Sequence, residues 1–261
     1  MAAITADAIA VRDLSKHYST RDGRITALQD ITFAVREGEF VAVVGPSGCG
    51  KSTLLKLLAG LMPPSTGEAV LGGTPITGPR RDIGVVFQSP VLFPWRTVLD
   101  NVLLPVDVQR LDRQHHLRAA INLLTLVGLR EFERRYPWEL SGGMQQRVAI
   151  TRALIHGPAL LLMDEPFGAL DAMTREHMNL ELQRILLEER KTVLFITHSI
   201  PEAVFLADRV LVMSSRPGRI LDDVRVQIPR PRFLDAMSAP AFGEYVRAIR
   251  AQFRAKGGFD G

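Results

Sequence analysis

The chain has 261 residues, 46% of them hydrophobic and 23% charged, a balance that suits a soluble globular protein of one large or two small domains. No apolar run reaches the ~18 to 20 residues of a membrane span, and a single cysteine, Cys49, excludes an internal disulfide and fits a reducing compartment. The net charge is +4; Arg225 to Gly261 holds seven basic residues against three acidic ones, which leaves the rest of the chain neutral and argues against a broad nucleic-acid-binding surface.

Taken in chain order, the first residues, MAAITADAIAVRD, lack the basic and apolar regions expected of a signal peptide. The stretch EFVAVVGPSGCGKSTLLKLLAGL then reads as a buried strand over Phe40 to Val44, a glycine-rich turn, and a helix from about Lys51. Gly45, Gly50, Lys51 and Ser52 satisfy the phosphate-loop pattern G-x-x-x-x-G-K-[ST] in the context it needs, strand before and helix after. Its glycines let backbone N–H groups wrap phosphates, Lys51 reaches the terminal phosphates, and the Ser52 hydroxyl suits Mg²⁺. Cys49 is a small filler of this loop, although a thiol at a helix N-terminus tends to a lowered pKa and is expected to react with thiol reagents.

A second apolar run, IGVVFQS, leads to Gln88. The stretch after it, SPVLFPWRTVLDNVLLPV, sets Phe93, Pro94 and Trp95 beside a loop, either as core packing or as a groove for a helix of another protein. Leu117, Ile121 and Leu124 then keep helical spacing and Gly128 follows as a stop, so a helical subdomain is expected inside the sheet domain. The neighbouring pair His115 and His116 reads as a solvated helix face. In LSGGMQQRVAI, Ser141 is a good N-cap for a helix whose Met144, Val148, Thr151 and Ile155 share a face. Gly142 and Gly143 stand at its first positions, where each costs roughly 1 kcal/mol against alanine. Glycine there admits close approach to a helix start, which is an anion site.

PALLLMDEP is a third buried run, Ala159 to Met163, that ends in two acids. Asp164 suits an outer ligand of Mg²⁺, and Glu165, one residue on, suits an attacking water, where general-base help is worth about 10² to 10⁴ in rate. KTVLFITHS is a fourth run, Thr192 to Thr197, ending in His198. Parallel strands deliver their C-terminal ends to one edge of a sheet, where ligands bind. The tail FGEYVRAIRAQF places Phe242, Val246, Ile249 and Phe253 near one helical face, a terminal helix packed on the body.

This set of motifs resembles the ATP-binding cassette (ABC) ATPases: the phosphate loop GPSGCGKST, Gln88, the signature LSGGMQQR, the run LLLMDEP, the segment GALD at Gly168 to Asp171, and His198 occur in the expected order from about Ile9 to Ile220. The resemblance implies an α/β P-loop NTPase fold: a RecA-like, mostly parallel sheet core, an N-terminal antiparallel β part and an inserted α-helical subdomain. It divides the chain into a nucleotide-binding core over 1–88 and 159–224, a helical subdomain over 89–158, and a C-terminal helical tail over 225–261.

The same resemblance implies the roles. ATP is the substrate and Mg²⁺ the cofactor. ATP contacts fall to Tyr18, stacked on adenine, to Gly45, Pro46, Ser47, Gly48, Cys49, Gly50, Lys51, Ser52 and Thr53 of the loop, and to Gln88. Gln145 and Asp171 are further ATP contacts, and a second copy, arranged head to tail, would present Ser141, Gly142 and Gly143. Mg²⁺ is assigned to Ser52, Gln88 and Asp164; catalysis is assigned to Glu165, which polarises the water, and His198, which holds the γ-phosphate. The resemblance also implies separate membrane permease subunits docked on the SPVLFPW stretch, an extracytoplasmic solute-binding protein acting through them, no nucleic acid, and a peripheral place on the cytoplasmic face of the cell membrane.

Within the family, FPWRTVLDNV, PFGALDAMTRE and SSRPGRI look like the importers of nitrate, sulfonates, taurine and related solutes. An exporter or lipoprotein-release cassette, a soluble ABC ATPase acting on DNA or ribosomes, and a non-ABC kinase are the alternatives. The kinase leaves LSGGMQQR unexplained.

Overall fold

A computed structural model describes residues 7–21, 23–168, 170–189 and 191–255; Ala169 of the GALD segment and Lys256 and Asp260 of the basic tail lie outside the described residues. In chain order the elements begin with β1 (Asp7–Thr20), β2 (Gly23–Arg36), β3 (Phe40–Val44), α1 (Lys51–Leu58), β4 (Thr66–Leu71), β5 (Thr74–Pro75) and β6 (Ile83–Val86). Next come α2 (Val98–Val102), α3 (Leu104–Gln109), α4 (Arg113–Leu126), α5 (Gly142–Leu154), β7 (Leu160–Asp164) and α6 (Ala172–Glu189). The chain closes with β8 (Thr192–Thr197), α7 (Ile200–Leu206), β9 (Arg209–Met213), β10 (Ile220–Arg225) and α8 (Pro240–Ala255). Parallel and antiparallel strands interleaved with helices make this an α/β protein, as the motifs imply.

Two compact units divide the chain, residues 1–80 with 190–261, and residues 81–189. In the first unit, β2, β1, β4 and β5 form an antiparallel sheet, while β10, β9, β3 and β8 lie side by side. β3 runs parallel to both β8 and β9, with Val44 level with Thr197 and with Val212. Each residue of β3, β8 and β9 is buried, and their apolar stretches 40–44, 193–196 and 210–213 suit strands covered on both faces. Parallel pairing therefore brings the C-terminal ends of β3 and β8, with the phosphate-loop residues after one and His198 after the other, to one edge. β10 closes the row antiparallel to β9. The terminal helix α8 buries Phe242, Ile249 and Phe253, the face that the sequence spacing marks out, and meets α7 and β10.

The second unit pairs β6 with β7 in parallel, Val86 level with Met163. Gly84 lets α5 close on this pair, since a Cβ there would lie 2.5 Å from the carbonyl oxygen of Ala153. The helical stretch expected at 89–158 lies inside this unit and supplies α2 to α5; α4 stops at Gly128, whose φ of 68° is open to glycine. On α4, His115 is exposed and His116 half-buried.

Candidate functional site

The phosphate loop begins where β3 ends. Gly48 and Gly50 have φ of 74° and 107°, conformations that side chains resist, and Gly50 is the residue that caps α1. Lys51 is the first residue of the helix and is only 6% exposed. Its Nζ donates to the carbonyls of Gly45 at 2.8 Å and Pro46 at 3.0 Å, so the ammonium sits inside the curl of the loop. Ser47, Gly48 and Ser52 are exposed on it, while Cys49 is buried at 1% exposure. The burial of Cys49 settles its place as a packed filler and counts against ready attack by thiol reagents.

Two more groups in this unit join the loop. His198 is exposed immediately after β8, the neighbour of β3. Its turn is fixed: the Ser199 N–H donates to Thr197 Oγ1 at 3.0 Å, the Thr197 hydroxyl donates to Glu202, and Ser199 Oγ caps α7 by accepting from the Glu202 N–H at 3.3 Å. Tyr18, on β1, has its hydroxyl 3.5 Å from Thr53 Oγ1 and 3.4 Å from Met62 Sδ. The Tyr18 ring therefore stands beside α1 with a third of its surface open and Lys16 Nζ 5.6 Å from its centroid.

In the second unit, β6 and β7 deliver Gln88 and the pair Asp164 and Glu165 in the same way. A Cβ on Gly168 would lie 3.5 Å from Gln88 Nε2 and 3.6 Å from Glu165 Oε2, so both side chains converge on that glycine. Glu165 has φ of 44°, a left-handed conformation that costs a non-glycine residue of order 1 kcal/mol or more and clusters at functional sites. Asp171 caps α6, accepting from the Thr174 N–H at 3.0 Å. The hydrogen bonds of Thr174, its side chain first and then its N–H, hold the Asp171 carboxyl below the usual range.

The signature helix α5 starts as the sequence suggests. Ser141 Oγ accepts from the Met144 N–H at 3.3 Å. A Cβ on Gly143 would lie 3.3 Å from Thr174 Cγ2, so Gly143 serves the packing of two helix starts. A Cβ on Gly142 would meet nothing within 4 Å, so its missing side chain answers to no neighbour in this unit. Gln145 turns its Nε2 to the carbonyls of Pro137 at 3.0 Å and Leu140 at 3.3 Å, bracing the turn before the helix.

Three residues outside the sequence assignments hold the chain on either side of Gln88. Gln146 Nε2 donates to the Phe87 carbonyl at 3.3 Å. Arg152 donates to the carbonyls of Pro90 and Val91, both at 2.7 Å. Asn101, fully buried, donates to the carbonyls of Phe93, Arg96 and Thr97 and accepts from the Phe93 N–H at 2.8 Å. On this fixed turn Phe93 and Trp95 stack with centroids 5.0 Å apart, and Trp95 is 71% exposed. Trp95 is therefore displayed at the surface of the unit, with Phe93 half-buried against it.

Comparison with known proteins fits these arrangements. The sequence profile of the ABC transporter family matches residues 28–168. An uncharacterised ABC transporter ATP-binding protein of Methanocaldococcus jannaschii is 48% identical, over 86% of this chain and 84% of that one. A taurine import ATP-binding protein of Burkholderia thailandensis is 45% identical over 94% of this chain and 92% of its own length. An aliphatic sulfonates import ATP-binding protein of Bacillus cereus is 40% identical over 94% and 95%. A solved dimeric structure of a bacterial ABC transporter cassette superposes with a TM-score of 0.75 at 33% identity, covering 85% of this chain and all of the other. A post-hydrolysis dimer of an ATP-binding cassette, bound to ADP and phosphate, superposes with a TM-score of 0.74 at 32% identity.

Proposed function

The chain belongs to the ABC transporter family, and on that premise we propose that it is the ATP-hydrolysing subunit of an importer for a small anion or related solute such as nitrate, a sulfonate or taurine. One observation carries the ATPase reading. The ammonium of Lys51 is held inside a glycine loop at the end of β3, with His198 at the end of the strand beside it.

The loop N–H groups and Lys51 bind the phosphates, which need positioning and charge neutralisation more than covalent help. Tyr18 offers the adenine a face. Ser52, Asp164 and Gln88 present a hydroxyl, a carboxylate and an amide oxygen, hard donors that suit Mg²⁺. Among the described residues no three or more His, Cys, Asp or Glu gather into a metal cage; Mg²⁺ usually takes one or two protein oxygens and fills its shell with water and phosphate oxygens. When bound, Mg²⁺ neutralises charge that develops on the phosphates. Glu165 takes the proton of the attacking water, and His198 donates to the γ-phosphate.

Ser141, Gly142 and Gly143 serve the nucleotide of a second copy placed head to tail, and Gln145 and Asp171 are further ATP contacts. The solved dimers of similar cassettes support that arrangement. No helix among the described residues is long and apolar enough to cross a membrane, so transport through this complex would use permease subunits docked on the Trp95 turn. A solute-binding protein would choose the cargo outside the cell, and the chain would sit peripherally on the inner face of the membrane.

Glu165→Gln tests the mechanism. It is expected to bind ATP normally, to lower turnover by at least about a hundredfold, and to elute as a dimer when ATP is present. A Glu165→Gln protein that turns over ATP at the wild-type rate would remove Glu165 from the chemistry. A monomer with ATP bound would count against the head-to-tail pair.

A further inference from the structure

The string SSRPGRI forms the turn between β9 and β10 and lies against the outside of the phosphate loop. The turn is locked on itself. Ser214 Oγ donates to the Pro217 carbonyl at 2.8 Å and accepts from the Arg219 N–H at 2.9 Å, and the Ser214 N–H donates to the Arg219 carbonyl at 2.9 Å. It is also stitched to β2: the Gly218 N–H donates to the Ala27 carbonyl and the Gln29 N–H donates to the Gly218 carbonyl, both at 2.9 Å.

At that seam the turn touches the loop. A Cβ on Gly218 would lie 2.2 Å from the Cys49 carbonyl oxygen, a distance no side chain tolerates. Gly50 is pressed from the same seam, with Leu28 Cδ2 at 2.7 Å and the Ala27 oxygen at 2.9 Å from the place of its Cβ. Arg216 is exposed and reaches over the tip, where its Nη2 donates to the Gly48 carbonyl at 3.3 Å. The two left-handed glycines of the loop, Gly48 and Gly50, are thus held from outside by one turn and the strand it is tied to.

Glycine is the residue with the most conformations to lose, and a loop already held in its binding shape loses less on binding. A guanidinium is charged at every working pH, so Arg216 also places a fixed cation beside a loop that receives an anion. We propose that the Ser214–Arg219 turn braces the phosphate loop, and that Arg216 is a positioning residue that sets its affinity for the phosphate chain of a nucleotide. The proposal rests on the ATPase reading and adds to it a residue outside the ATP-binding motifs of the family.

Calorimetric titration of the full chain with ATP tests it, on wild type, Arg216→Ala and Arg216→Lys, beside melting temperatures without nucleotide and steady-state ATPase rates. Arg216→Ala is expected to weaken ATP binding about threefold to tenfold, the scale of one net hydrogen bond. KM should rise with kcat held, and the melting temperature without nucleotide should stay unchanged. Arg216→Lys, which keeps a charged donor, should recover most of the affinity. Wild-type affinity in Arg216→Ala would overturn the proposal. So would a loss matched by a lower melting temperature, which marks a residue that only stabilises the fold, or an Arg216→Lys as weak as Arg216→Ala. A wild-type chain that binds no ATP would overturn the ATPase reading and this proposal together.

Discussion

At Gly142 the needs of folding and of chemistry separate. Alanine is the better helix former by about 1 kcal/mol, and a Cβ at this position would touch nothing within 4 Å. Gly142→Ala is therefore expected to leave the fold as stable as wild type or up to about 1 kcal/mol more stable in urea denaturation. If the helix start meets a phosphate, the same change should lower ATPase activity by about a hundredfold, the lower end of what a lost anion-stabilising contact costs. Normal turnover in that variant would mean that no phosphate approaches Gly142. The residues of the phosphate loop, the acid pair and the signature are readable in the sequence because their chemistry demands fixed spacing within a few positions. Asn101, Arg152 and Arg216 are not, because a lone Asn or Arg has no local pattern. Arg152 finds its carbonyls 61 and 62 residues away, and Arg216 finds Gly48 at 168.

Helix α7 shows the same contrast one level up. Its start is legible, with Ser199 as cap and Pro201 in the first turn. Its end depends on Arg232, 2% exposed, whose guanidinium donates to the carbonyls of Phe205 at 3.1 Å and Ala207 at 2.9 Å and also to those of Val204 and Ile228. Burial, with repulsion from Arg230 added, lowers the Arg232 pKa to about 10, which leaves it charged at neutral pH and placed where the helix dipole favours a cation. Arg232→Ala strands several buried carbonyls and opens a void. It is expected to cost about 3 to 5 kcal/mol in urea denaturation; a loss under 1 kcal/mol would show that water replaces the guanidinium at no expense. Among the strands, the apolar runs of β3, β7 and β8 are found within a residue of where the sequence places them. The hairpin of β1 and β2, 14 residues each, is not readable in detail. Its register shifts beside Asp13 and Asp30, both at positive φ, and each shift restarts the alternation that marks a strand.

For the whole molecule, the engine is legible and the cargo is not, since a nucleotide site has no need to reflect the solute moved elsewhere. The relatives named for taurine and aliphatic sulfonates, at 45% and 40% identity, narrow the search. A strain lacking this chain, grown on sulfate, taurine or an alkanesulfonate as sole sulfur source, and on nitrate or ammonium as sole nitrogen source, is expected to fail on one organic sulfonate alone. Normal growth on every source would move the cargo to another solute class. The exposed Trp95, stacked on Phe93 in a turn pinned by the fully buried Asn101, bears on supply rather than transport. A copy made in excess of its partners carries an uncovered adhesive surface, of the kind that draws chaperones or promotes clumping. On the proposed docking of permease subunits at this turn, a cell gains by matching synthesis of this subunit to that of those membrane proteins, so that the surface is covered soon after the chain folds.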